Sequence, residues 1–292
     1  MIISVHIGAH FTNGSLLMRS LQKNKAVLKE QGVMVPSTLR YRDLLPAAMK
    51  EAKFVPAPRA AQDRLIDAIT GPDRPERLVL GYENTICIPD LIFERDRFYR
   101  RVEFKSKWLR NTFADYPMEF HLSLRNPASF IPAAANALAR RTPYEEFVGN
   151  TDLRSVYWSD VVADIRTSCP DVPLTVWAFE DTPMLWPAAM QAVAGVSADL
   201  RMVGGFDILS QIMRNEGMMR LRTYLKTHTP ANETQRRRIL AAFLDKYALE
   251  DAMEEEIDLP GWTDELVAEL TTNYEEDLEE IEAMPGVQML LP

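Results

Sequence analysis

The chain has 292 residues, of which 47% are hydrophobic and 26% charged, a balance that excludes a disordered, collagen-like or coiled-coil protein and permits a sizeable core. A formal charge of −9 argues against sequence-independent nucleic-acid binding; apolar runs too short to span a bilayer and the lack of a signal-like or lipidation segment predict no transmembrane segment and a cytoplasmic location. Cys87 and Cys169 are too few for a disulfide framework and read as buried thiols, and the four histidines lack ligand spacing, so no metal site is expected.

Residues 2–7, IISVHI, form a short β-branched run that predicts a buried strand. Residues 14–31 place Leu17, Leu21 and Leu28 on one helical face, with Gly32 as the stop. A helical pattern over 60–70 and a Pro/Gly-rich turn lead into a second strand at 78–82. Residues 94–116 predict a helix and 118–124 a third strand; Pro127 starts another helix, and 173–179 is a fourth strand between helical patterns. Strands alternating with helices predict an α/β fold, a parallel sheet flanked by helices.

From about residue 205 the pattern is helix alone. Segments 206–228 and 233–248 are amphipathic; 263–284 is acidic, with Thr263 as N-cap ahead of Leu266 and Leu270. The expected division is an α/β core over 1–204 and a C-terminal helical subdomain with an acidic tail over 205–292. Charge divides in the same direction: residues 1–246 hold 33 basic against 27 acidic side chains, whereas 247–292 hold fifteen acidic and no basic ones. A basic body suits an anionic small ligand.

In an open parallel sheet a ligand sits beyond the carboxyl ends of the strands. There the sequence places the loop 8–15, Glu83, Arg125 and the pair Glu180-Asp181. Against the nucleoside-triphosphate loop G-x-x-x-x-G-K-[ST], Gly8 and Ser15 fit, but Asn13 stands at the second glycine and Gly14 at the lysine. Asn13-Gly14 still permits a nest of N–H donors at a helix start, though without the cation an NTPase is not expected.

Residues 6–37 resemble the N-terminus of the bacterial sulfotransferase family. His6, Ile7, Gly8, Thr12, Ser15, Leu17, Asn24, Leu28, Gly32, Val33 and Pro36 fall in step with its pattern. LVLGYEN at 78–84, LSLRNP at 122–127 and YEEDLEEI at 274–281 are similar to its second-strand segment, its Arg-x-Pro motif and its acidic closing helix. The resemblance implies the P-loop NTPase-like sulfotransferase fold with a C-terminal helical extension. It implies 3′-phosphoadenosine 5′-phosphosulfate (PAPS) as cofactor and transfer of a sulfuryl group to a hydroxyl of a carbohydrate or small metabolite. Gly8, Thr12, Asn13, Gly14 and Ser15 would then cradle the phosphosulfate, Arg125 would hold the 3′-phosphate, and Glu83 would be the base.

Two positions depart from the family pattern. Phe11 stands at the lysine of the loop, leaving His10 or Arg19 to supply a cation and making His10 a second catalytic candidate beside Glu83. Ala133 stands at the serine of the 3′-phosphate site, with Ser129 and Asn136 about a helical turn to either side. Two readings follow: a sulfotransferase, or a catalytically inactive protein of the same fold that binds a nucleotide, glycan or protein partner. Of the other candidates, His121 reads as a satisfied strand histidine, and Trp177, Phe179 and Trp186 read as core aromatics. Arg214, Arg220, Arg222, Lys226, Arg236, Arg237 and Arg238 either line an anionic acceptor or form a solvated face.

Overall fold

The computed structural model describes residues 1–249 and 259–292. Six acidic side chains of the tail, those within 250–258, lie outside the described residues. The strands are β1 (Ile2–Gly8), β2 (Val33–Met34), β3 (Arg77–Gly81), β4 (Met118–Leu124), β5 (Leu174–Ala178) and β6 (Val287–Met289). They form one six-stranded sheet in the order β2-β3-β1-β4-β5-β6, every neighbouring pair parallel. The helices are α1 (Gly14–Gln22), α2 (Lys25–Glu30), α3 (Leu44–Ala52), α4 (Arg59–Thr70), α5 (Val102–Thr112), α6 (Pro127–Leu138), α7 (Tyr144–Val148), α8 (Trp158–Ser168), α9 (Thr182–Ala194), α10 (Leu209–Ile212), α11 (Asn215–Thr227), α12 (Glu233–Tyr247) and α13 (Asp264–Glu282).

The central strand explains the layering. In β1, Ile3, Val5 and Ile7 join one buried cluster with Leu65, Leu109 and Ile165, so α4, α5 and α8 cover that face. Leu17 and Leu21 of α1 meet Trp186 and Met190 of α9 in a second cluster on the opposite face. Both faces of the sheet are therefore covered, which is why the strands read as near-continuous apolar runs. Trp177 and Trp186 are buried, as expected of core aromatics, but Phe179, expected with them, is half-buried with its ring beside the Arg125 guanidinium; both cysteines are buried free thiols. Among the described residues no helix is long and apolar enough to cross a membrane.

Several expected elements differ in detail. The helix over 14–31 breaks at Lys23-Asn24, where the Asn24 amide donates to the carbonyls of Ser20 and Val203 and accepts the Val203 N–H. The helix expected over 94–116 starts only at Val102. Before it, Phe93 and Phe98 form an antiparallel bridge, with Arg95, Asp96 and Tyr99 at positive φ. Phe98 and Tyr99 pack on Trp158 and Phe130, so aromatic burial overrides the helical spacing of the charged run. The segment 206–228 divides into α10 and α11 around Met213, which bridges to Ala248.

The acidic helix α13 is tied into the body. Leu266, Leu270, Tyr274 and Ile281 are buried along its inner face, and Thr263 Oγ1 accepts the Leu266 N–H as the N-cap. The buried Asp277 carboxylate accepts the N–H groups of Trp158 and Ser159 at 2.6 and 3.2 Å, capping α8 from another element. Past α13 the chain, expected to be helical throughout, returns to the sheet as β6 beside β5. On α11 and α12, Arg220 pairs with Glu216, and Arg236 and Arg237 pair with Glu233, ion pairs within one helix. The Arg220 pair is exposed as a solvated face would have it, whereas Arg236 and Arg237 are half-buried and Arg236 also donates to the Met184 carbonyl of α9.

Candidate functional site

Fold and sequence converge at the carboxyl ends of β1, β3, β4 and β5. The loop after β1 turns through Gly8 at φ 133°, Phe11 at φ 58° and Asn13 at φ 59°, and α1 begins at Gly14. Positive φ at Asn13 is tolerated because a short polar side chain relieves the left-handed backbone. The Phe11 value was not legible in the sequence, since an aromatic residue rarely adopts it.

The loop is satisfied from within. Thr12 Oγ1 donates to the Ala9 carbonyl at 2.8 Å, so this hydroxyl is buried and turned inward. Asn13 makes no side-chain cap for α1. The first N–H groups of a helix lack intrahelical partners and carry the positive end of its dipole. Here Glu83, just beyond β3, fills part of that need: its Oε1 accepts the Ser15 N–H at 3.3 Å.

His10 is buried within a network that fixes its tautomer. The Asn84 amide donates to Tyr82 Oη at 3.2 Å, so its oxygen faces His10 Nε2 at 3.2 Å and accepts from it. Nε2 therefore carries the proton, and Nδ1 accepts the Tyr99 hydroxyl at 2.7 Å. Tyr99 Oη in turn accepts the His10 main-chain N–H at 3.1 Å. Burial is the main cause that lowers the His10 pKa, partly opposed by the hydrogen bonds to Asn84 and to the Cys87 main chain. The ring is thus neutral and holds the loop; it brings no cation to it.

Arg125, directly after β4, reaches the same loop. It donates from Nη1 to the Phe11 carbonyl and from Nε to Ser129 Oγ, both at 3.0 Å, and its guanidinium lies 5.0 Å from the centre of the Phe179 ring. Ser129 of α6, one helical turn before Ala133, thus meets Arg125. Next to it, Glu180 accepts the Asn126 N–H at 2.9 Å and the Tyr274 hydroxyl at 3.0 Å. Burial raises the Glu180 pKa, opposed by these bonds and by the nearby Arg125. The side chain of Phe11 packs edge-on toward Phe130.

On the other side of the loop a cleft of about 390 Å³ opens between α1 and the end of β3, lined by Gly14, Ser15, Arg19, Glu83 and His6. The sequence places His6 in a strand and in step with the family pattern, but assigns it no role in the site. The available signal was strand alternation, which places His6 and Ser4 on the face opposite Ile3, Val5 and Ile7, toward α1. A Cβ on Gly14 would lie 2.8 Å from His6 Cε1, so glycine is required where helix and imidazole meet. Its neighbour His121 donates from Nε2 to Ser4 Oγ, 3.0 Å away, since the Ser4 hydroxyl gives its own hydrogen to the Val193 carbonyl; Nδ1 has no partner among the described residues, so the strand histidine expected to be satisfied is satisfied at one nitrogen.

No protein-family model, curated protein or solved structure matches the chain. The residues themselves must therefore indicate whether a phosphosulfate fits the loop. A dianionic group at the start of α1 meets the Glu83 carboxylate, while position 11 offers a phenyl ring and position 10 a neutral imidazole; of the two residues expected to supply a cation only Arg19 reaches this end of α1, where it lines the cleft together with Glu83. Two unit charges of like sign at about 4 Å repel by about 4 kcal/mol near a protein surface. The loop in this conformation does not fit that group.

Proposed function

We propose that the chain has the P-loop NTPase-like sulfotransferase fold and acts as a catalytically inactive member of it, a protein that binds a ligand or partner without consuming PAPS. The reading is carried by one observation: Glu83 supplies the anion at the N-terminus of α1 that the resemblance assigns to the phosphosulfate. The parallel sheet with β1 between β3 and β4, followed by a loop and helix, supports the fold. A fold shared with enzymes does not bring their activity with it.

The competing reading is sulfuryl transfer to a carbohydrate or small-metabolite hydroxyl. It is favoured by Arg125 and Ser129, which stand together where that resemblance implies 3′-phosphate binding, and by Glu83, which borders the cleft as a base would. Incubation of the protein with sulfur-labelled PAPS and a mixed panel of hydroxylated acceptors decides between them. The inactive reading predicts no labelled product above the rate without protein; turnover abolished by Glu83→Gln would establish the enzyme instead.

A further inference from the structure

The cleft beside α1 has a chemistry of its own, distinct from the cradle side facing Arg125. His6 is 2% exposed yet lines this cleft, and its Nε2 is sealed away with no partner among the described residues. A neutral imidazole carries one N–H and one lone pair. Burying an unpartnered donor costs more than leaving a lone pair unused, so the proton belongs on Nδ1, on the ring edge that faces Gly14 and the start of α1. Burial, which holds the His6 pKa down to about 4, keeps the ring neutral. The floor therefore presents a neutral N–H donor beside a helix N-terminus.

The remaining walls define what would complement that donor. The Glu83 carboxylate accepts hydrogen bonds only and asks for hydroxyl donors. Ser37 adds a neutral hydroxyl, Gln22 lines the wall with its amide N–H already donated to the Pro36 carbonyl, and Arg19, one turn beyond Ser15 on α1, adds a cation. Neutral polar groups with one cation and one anion match a molecule rich in hydroxyls with a single negative charge. The volume suits a small ligand.

The geometry points to this cleft as a binding site for a small polyhydroxy carboxylate, such as an acidic monosaccharide. Its hydroxyls would face Glu83 and His6 Nδ1, and its carboxylate would face Arg19. The inference deepens the inactive reading and rests on it in one respect, that the cleft fills without a nucleotide.

The test is an NMR titration of the full chain with D-glucuronate, read at the ring nitrogens of His6, with D-glucose as neutral comparator and 3′,5′-adenosine diphosphate added in a second series. The expected result is a saturable shift of the His6 resonances by D-glucuronate alone. Arg19→Ala, a change at an exposed position, should weaken that binding about tenfold, the loss of a charged contact. No shift with or without the nucleotide overturns the inference and leaves the inactive reading standing. A shift that requires the nucleotide overturns both. Equal binding of glucose and glucuronate, insensitive to Arg19→Ala, overturns the assignment of an acidic ligand.

Discussion

The Arg125 guanidinium donates to the main-chain carbonyl of Phe11 across 114 residues of sequence, at 3.0 Å. An arginine at the end of β4 thereby clamps the loop that follows β1, and Trp158 Nε1 in turn holds the Arg125 carbonyl at 2.8 Å. The residue that the family resemblance assigns to a ligand contributes here to the shape of the loop itself.

Arg125→Ala should accordingly cost stability. Arg125 is buried, and hydrogen bonds made by a charged donor are worth about 1.5–3 kcal/mol each. Urea unfolding of the variant should show a loss of about 3 kcal/mol. Arg125→Lys should recover less than half of it, because an ammonium cannot fork between Phe11 and Ser129. A loss below about 0.5 kcal/mol would show that the clamp contributes nothing.

The buried histidines predict an acid-sensitive fold. His6 and His121 are neighbours on β1 and β4, and burial lowers their pKa values to about 4 and about 3. An unfolded chain protonates each near 6.5. Stability is therefore complete above that pH and drains as pH falls through it, until the folded protein also takes up protons near pH 4 and then near pH 3. Between about pH 7 and 5.5 the loss should be about 2–3 kcal/mol for the pair. Unfolding free energies that stay flat over this interval would contradict the burial of both rings in the neutral form.

How much of this was legible in sequence depends on the length of each signal. β4 was bounded correctly at 118–124, and β1, β3 and β5 to within a residue, because β-branched and apolar runs in a doubly covered sheet leave little ambiguity. β2 and β6, with two and three residues, are too short to show any period. Within the site, the gathering of the loop, Glu83, Arg125 and Glu180 at one end of the sheet followed from the parallel topology alone. The pairing of Glu83 with Ser15, the neutral state of His10 and the His6–Gly14 contact did not, since each depends on a side-chain direction fixed only by packing between distant segments.

The acidic tail should behave as part of the body. Deleting the chain after Pro260 removes α13 and β6, exposes the surfaces of α6 and α8, and should lower the melting temperature and promote aggregation. A single change isolates the cap: Asp277→Ala should destabilise by about 1–2 kcal/mol through the lost N-cap of α8. A truncated protein that melts where the full chain does would mean that α13 packs without consequence.

The central claim is that the loop after β1 is filled by the protein's own groups and takes no phosphosulfate. Calorimetric titration of the full chain with 3′,5′-adenosine diphosphate, alongside the Phe11→Lys and Phe11→Lys/Glu83→Gln variants, tests it most directly. The account predicts no saturable heat for the natural chain and a gain of about 1–3 kcal/mol in binding only when the cation is added and the competing carboxylate removed. Binding by the natural chain tighter than about 10 μM, unchanged in either variant, would contradict it.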